Sequence, residues 1–293
     1  MNKRVVFVLV GVVAVLLAGC MGMGGNGGDT AGTGQNVGEN GASASMVEGE
    51  VKQKTLSAIS GIESYEASMT KTTVGNLSNS VENVTSPAVR VSVESTVRVD
   101  GDTLEVTLSG SSEYGDGTSE SSQQHAVIVG QTPYVNLNPG SSQPEWSSPP
   151  NAVPQVVENT KANLSYLDQI QRLLDSSEVE SVGGGNGSYV LGLEPSDELV
   201  KEVFIYGVTS RSYTVESIQN SSVTLRVDSE SYLPIESRAE INFTAVGESK
   251  FEGRQLSMNL VDTREFSGIG ETSVEVPEGV NTTASTSTPT TDG

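Results

Sequence analysis

Between Val89 and Val99 the chain alternates residue by residue. Val89, Val91, Val93, Val97 and Val99 fall on one side, and Arg90, Ser92, Glu94, Thr96 and Arg98 on the other. A period of two over this length means a strand with one dry and one wet face. Asp100-Gly101 supplies a tight hairpin turn, and Leu104, Val106 and Leu108 carry the alternation back. The same pattern recurs. His125–Val129 and Tyr134–Leu137 flank Gly130-Gln131-Thr132-Pro133 as a second hairpin. Tyr213–Ile218 and Val223–Val227 flank an expected turn at Gln219-Asn220-Ser221. Ile235, Ala239, Ile241 and Phe243 alternate with Glu236, Arg238, Glu240 and Asn242, followed by Leu256, Met258 and Leu260. Strands are also expected at Tyr189–Leu193 and, last, at Ser273–Val276. Consecutive hairpins of this kind build an antiparallel sheet with one face buried and the other in water.

Helical spacing interrupts the strands at three places. Val51, Leu56 and Ile59 share part of a face within Val47–Ser60, and Gly61 stands where a helix end favours a left-handed residue. Leu164, Leu167, Ile170, Leu173 and Leu174 recur with a helical period, with Ser165 and Asp168 placed for a capping-box start. Leu199, Val203 and Tyr206 mark a short helix over Ser196–Tyr206, and Gly183-Gly184-Gly185 reads as a flexible break. The fold class is therefore α+β, mainly antiparallel sheet.

The N-terminus has a different logic. Lys3 and Arg4 precede an uncharged apolar run from Val5 to Leu17, and small residues at Ala18 and Gly19 lead to Cys20. A basic start, an apolar stretch and a small-residue exit describe an export signal over residues 1–19. The run is short for a spanning helix, which takes roughly 20 apolar residues. Cys20 is the only cysteine, so a structural disulfide within one chain is impossible. Residues 20–45 are rich in Gly, Ser and Asn and read as a flexible tether, and 281–293 as a disordered Thr/Ser-rich tail.

Charge excludes one class of partner. The chain has 37 acidic and 16 basic side chains, a formal net charge of −21. Cleavage before Cys20 removes Lys3 and Arg4 and no acid, so the mature chain is more acidic still. Such a surface repels nucleic acid and anionic headgroups. It also suits a salt-rich medium, where self-repulsion is screened.

Leu17-Ala18-Gly19-Cys20 is similar to the lipobox of bacterial and archaeal lipoproteins. That resemblance implies that the Cys20 thiol takes a diacylglyceryl-type lipid and becomes the first residue of the mature chain. It would anchor the protein at the outer face of the cytoplasmic membrane, and two acyl chains hold stably where one does not. Two further strings, Val223-Thr-Leu-Arg-Val-Asp-Ser-Glu-Ser-Tyr-Leu-Pro-Ile235 and Val274-Glu-Val-Pro277, resemble the LolA-like superfamily, including the LppX- and LprG-type lipoproteins. The resemblance covers residues 46–280. It implies a curved antiparallel sheet, an incomplete β-barrel with a few helices plugging its concave side. The enclosed apolar space carries lipid in that superfamily. The acidic surface and glycine-rich loops of this chain depart from the superfamily and leave its ligand open.

No catalytic signature, phosphate-binding loop or zinc-type cluster is present, so neither a catalytic residue, a cofactor nor a metal is expected. His125, the only histidine, reads as structural. Glu113, Asp116 and Glu120 sit in a glycine-rich stretch whose spacing matches no calcium loop. Seven sequons begin at Asn76, Asn83, Asn163, Asn186, Asn220, Asn242 and Asn281. On an exported protein these are candidate N-glycan acceptors. Many sequons on a lipoprotein resemble archaeal cell-surface proteins, so an archaeal source is expected. The leading expectation is a non-enzymatic binder or carrier of lipid or another hydrophobic ligand. The alternative is a structural or interaction module of the cell surface, or a transporter accessory protein.

Overall fold

The computed structural model describes residues 39–79, 84–85, 89–114, 117–148, 153–185, 187–205, 213–247 and 254–276. The export segment, most of the tether, the C-terminal tail, Cys20, Asn83, Asp116, Asn186, Tyr206 and Asn281 lie outside them. The strands are β1 (Ser64–Asn79), β2 (Val84–Thr85), β3 (Val89–Asp100), β4 (Thr103–Glu113), β5 (Ser119–Val129) and β6 (Thr132–Asn136). They continue with β7 (Trp146–Ser147), β8 (Glu178–Gly185), β9 (Ser188–Glu194), β10 (Tyr213–Asp228), β11 (Pro234–Gly247) and β12 (Arg254–Ser267). Helices are α1 (Glu39–Ile59), α2 (Pro154–Leu164), α3 (Tyr166–Ser176) and α4 (Asp197–Val200), the last continued by a π-helical turn over Lys201–Ile205.

All twelve strands join one open antiparallel sheet in the order β7-β6-β5-β4-β3-β1-β12-β11-β10-β9-β8, with β2 paired to β1. The sheet does not close, because its two outer strands, β7 and β8, do not pair with each other. Helices cover one face, as an incomplete barrel requires. Alternation sets that face. Tyr65, Ala67 and Met69 of β1, Val97 of β3, Leu104 and Val106 of β4, and Ala239, Ile241 and Phe243 of β11 are buried. The opposite, convex face carries cross-strand ion pairs such as Glu66 with Arg98 and Arg226 with Glu236. These pairs are partly exposed and add little stability.

The strongest helix is α3, with Tyr166, Leu167, Gln169, Ile170, Leu173 and Leu174 buried along one side. Its side chains reach β1 and β3: the Tyr166 hydroxyl lies 3.0 Å from Ser95 Oγ and 3.5 Å from Met69 Sδ. Pro154 starts α2, where a missing N–H costs nothing. Ser196 caps α4, accepting from the Leu199 N–H at 3.3 Å.

Several expectations need correction. Gly183-Gly184-Gly185 is not a break but the end of β8, paired with β9 through Gly185 and Ser188. Gln219–Ser221 is not a turn; β10 runs through it, and bulges at Val215/Ser217 and Ile218/Asn220 absorb the change in alternation. Ser273–Val276 forms no strand. Ser165 makes no side-chain cap and instead separates α2 from α3. The first helix begins at Glu39, earlier than Val47, and β5 begins at Ser119 rather than His125. β1 went unpredicted, since Thr70, Lys71, Thr72 and Thr73 blur its polarity.

Candidate functional site

The concave face beneath the helices is a packed core. Where the described helices cover it, Ala67, Val97, Leu173, Leu174, Leu225 and Ile241 are 0% exposed, so the described residues there pack without a gap. One open space among the described residues lies at one end of the sheet, beside the β3–β4 turn. A groove of about 710 Å³ runs there between the α2–α3 corner and the ends of β1, β3 and β4. Its volume is within the range of small-molecule pockets.

The groove has an apolar floor and a charged rim. Ile59, Ile62, Val99, Leu104 and Leu167 form the floor, and Ala162 stands on the α2 wall. Alternation explains the floor: Val99 and Leu104 are the last inward positions of their strands before the turn. Gly101 makes that turn with φ +55°, a conformation that side chains strain to adopt. Tyr65 closes the inner end. It is 2% exposed, and burial pushes its phenol up to about 12, with the Ser165 hydroxyl nearby at 3.5 Å. The rim is Glu63, Asp102, Glu158 and Asp168 against one cation, Lys161. Lys161 Nζ donates to the Asp102 carbonyl at 2.7 Å and so ties α2 to the β3–β4 turn.

Deeper in the concave face, the structure places a charged cluster that the sequence reading passed over. Arg264 and Asp262 of β12 and Lys71 of β1 all point inward. Arg264 Nε donates to Asp262 Oδ1 at 2.8 Å, and Lys71 Nζ lies 3.1 Å from Asp262 Oδ2. The guanidinium also donates to Gln169 Oε1 of α3 and to the Val203 carbonyl, while Lys71 donates to the Phe204 carbonyl at 2.9 Å. The rings of Tyr166 and Phe204 lie 4.7 and 5.1 Å from the guanidinium carbon. Two cations face one carboxylate. The excess is met by carbonyls at the end of the α4–π segment, where a helix has unsatisfied acceptors and negative dipole. Burial opposes the charge on Asp262, but Arg264 and then Lys71 outweigh it and hold the carboxyl below its usual range. Burial lowers the Lys71 ammonium despite the pull of Asp262. A signal was present in the sequence: Asp262 and Arg264 share the parity of Leu256, Met258, Leu260 and Phe266.

Other singled-out residues stay apart from the groove. His125 faces outward on β5, with Nε2 2.8 Å from Glu105 Oε1 and its ring edge-on to Trp146 at 4.9 Å. This contact is the main cause holding the Glu105 carboxyl low. Glu113 and Glu120 are exposed on β4 and β5, and no metal-type cluster occurs among the described residues. Asn76, Asn220 and Asn242 are exposed, while Asn163 is half-buried at the end of α2. A second groove, of about 520 Å³, lies where Ser92, Glu94, Ser109, Ser111, Ser121 and Gln123 converge, a polar lining unsuited to an apolar guest. Among the described residues no helix is long and apolar enough to cross a membrane.

No family model and no curated protein matches the chain. Solved structures similar to it include a LolA superfamily protein from Nitrosomonas europaea, at TM-score 0.22 and 11% identity over 78% of this chain and 94% of that one. A DUF1329 family protein from Desulfovibrio piger follows at TM-score 0.20 and 11% identity, over 78% and 95%. A beta-barrel-like DUF1849 protein from Brucella abortus has TM-score 0.20 and 10% identity, over 71% and 100%. The description of the fold rests on the chain's own strand order.

Proposed function

We propose that the mature protein is held by lipid on Cys20 at the outer face of the cytoplasmic membrane. Its folded domain is a non-enzymatic binder of a lipid or another hydrophobic molecule. The observation that supports binding is the groove beside the β3–β4 turn, whose floor of Ile59, Ile62, Val99, Leu104 and Leu167 offers an apolar guest a contact surface beneath a charged rim. The packed concave face limits the guest. A groove of this volume takes one acyl chain or a compact ring system, not a multi-chain lipid swallowed whole. Buried apolar area at about 25 cal/mol per Å² drives such binding.

The test is native mass spectrometry on protein purified gently from the cells that make it. A bound species that organic solvent releases, with the mass of a lipid or other apolar molecule, supports the reading. A spectrum of protein with nothing bound, together with no uptake of an alkyl-chain fluorophore, overturns it. The mass of the Cys20 peptide tests the anchor: a peptide that begins at Cys20 and carries the added mass of a two-chain glyceryl lipid is expected, and an unmodified Cys20 thiol overturns it.

A further inference from the structure

We infer that Asn220 carries an N-linked glycan, that Asn242 and Asn163 do not, and that the glycan guards an open edge of the sheet. This inference is independent of the groove.

These three of the four described sequons, Asn76 being the other, differ in what the fold leaves free. Asn220 and Asn242 are opposite each other on β10 and β11, so they share the convex face, and both are exposed. The likeness ends there. β11 is paired on both sides, with β10 and β12. Asn242 Oδ1 accepts from Asn259 Nδ2 at 2.9 Å, and the hydroxyl at the third sequon position, Thr244, is buried and accepts from Gln219 Nε2 at 2.7 Å. At Asn163 the third position is Ser165, whose Oγ lies 3.5 Å from the Tyr65 hydroxyl, and the Asn163 carbonyl accepts from Gln169 Nε2 at 2.6 Å. Both of these sequons are woven into the fold. At Asn220 the third position is Ser222, and Asn220 and Ser222 are both exposed.

The strand geometry favours the same residue. β9 pairs with β10 only from Val223 to Asp228. From Val215 to Ser222, β10 has β11 on one side and, among the described residues, no strand on the other. Among the described residues, then, no strand stands between a transferase and Asn220 on that side. Crowding adds to the selection, since directly opposed side chains stand only about 5 Å apart, too close for two bulky glycans.

The transfer step joins Asn220 Nδ2 to the anomeric carbon of a sugar. The bond that breaks is the one from that carbon to the phosphate oxygen of a lipid-phosphate-linked oligosaccharide, the co-reactant. The amide gives up one proton, and the lipid phosphate leaves with the bonding electron pair.

An open strand edge offers unpaired N–H and C=O groups to another chain. Two bulges already disrupt this stretch, at Val215/Ser217 and Ile218/Asn220. A hydrated glycan at Asn220 adds a steric block at the same place.

Glycopeptide mass spectrometry on protein from its native cells tests the assignment. The Asn220 peptide should carry an oligosaccharide mass and the Asn163 and Asn242 peptides should not. An unmodified Asn220 peptide, or equal occupancy at all three, overturns the inference. Ser222→Ala keeps Asn220 but removes the required hydroxyl, while Ser222→Thr keeps the sequon. With both variants showing native circular dichroism, light scattering should find Ser222→Ala self-associating and Ser222→Thr monomeric. A Ser222→Ala protein that loses its glycan and stays monomeric overturns the guarding role.

Discussion

Arg264 and Asp262 stand two residues apart on β12, both pointing under the helices, with their side chains 1% and 0% exposed and Nε 2.8 Å from Oδ1. Alternation puts them on the dry face, so their charges are solvated only by protein. Arg264 also joins the sheet to α3 through Gln169 and to the π-helical turn through the Val203 carbonyl. The pair thus fixes where two helical elements sit on the floor.

Removing one charge should cost more than removing all three. Arg264→Met leaves Asp262 with Lys71 alone, and Asp262→Leu leaves two buried cations facing each other. Breaking a buried pair costs about 3–5 kcal/mol, whereas apolar replacement of the whole set is often neutral. Urea unfolding should show each single variant destabilised by about that amount. The triple variant Lys71→Met, Asp262→Leu, Arg264→Met should lie closer to the parent. Equal and additive losses would refute this account.

Acid should loosen the domain. The Asp262 carboxyl is held low in the folded state by Arg264 and Lys71 against the cost of burial. A depressed carboxyl contributes stability that is present above its unfolded value, about 3.9, and is lost as pH falls through the folded value. Lys71 acts at the other extreme, since burial lowers its ammonium. Between its folded and unfolded values the unfolded chain binds more protons, so stability rises with pH there. Unfolding free energy measured from acid to alkali should fall below about pH 4 and rise toward about pH 10. Asp262→Asn should flatten the acid limb.

The groove is tested from its wall. Ala162 is exposed on α2 and faces the groove, so Ala162→Trp fills the space without entering the core. Surface substitutions of this kind stay within about 0.5 kcal/mol of the parent. Uptake of an alkyl-chain fluorophore should drop at least about tenfold, a difference of about 1.4 kcal/mol, with the melting temperature little changed. Unaltered uptake would place the apolar guest elsewhere.

Much of the sheet was legible because its strands carry strong polarity. Val97, Leu104, Val106, Ala239 and Ile241 were assigned to the inner face, and they are buried there. What escaped notice did so for physical reasons. β1 hides its period because Lys71 and Thr73 occupy inward positions, one joining Asp262 and the other lying buried. Gln219–Ser221 looked like a turn because polar residues at an open, bulged edge resemble a loop. The charged cluster was missed because periodicity was read only from apolar residues. Continuing the parity of Leu256, Met258 and Leu260 two steps further reaches Asp262 and Arg264. The groove depends on how helices meet strand ends, which no local pattern encodes.

Tyr232 sets a conformational cost against its contacts, which include a hydrogen bond from Lys54 Nζ to its hydroxyl at 3.2 Å and packing of its ring at the edge of the core. It has φ +60°, unusual for a bulky residue, in the turn between β10 and β11. Asp228 stabilises that turn by accepting from the Glu230 and Ser231 N–H groups at 3.1 and 2.8 Å. The Tyr232 ring stacks on Tyr189 at 5.9 Å, and the Lys54 ammonium of α1 lies 4.9 Å from its centroid. Left-handed backbone costs a side chain about 1–2 kcal/mol. The stack contributes about 0.5–1.5 kcal/mol and the exposed cation contact about 0.5–1. Both variants lose these contacts, so the strain at φ +60° decides their order. Tyr232→Gly loses the contacts and the strain together. Tyr232→Ala loses the contacts but keeps the strain, so it should be about 1 kcal/mol less stable than Tyr232→Gly. Equal stability of the two variants in thermal unfolding would show that the turn imposes no such cost.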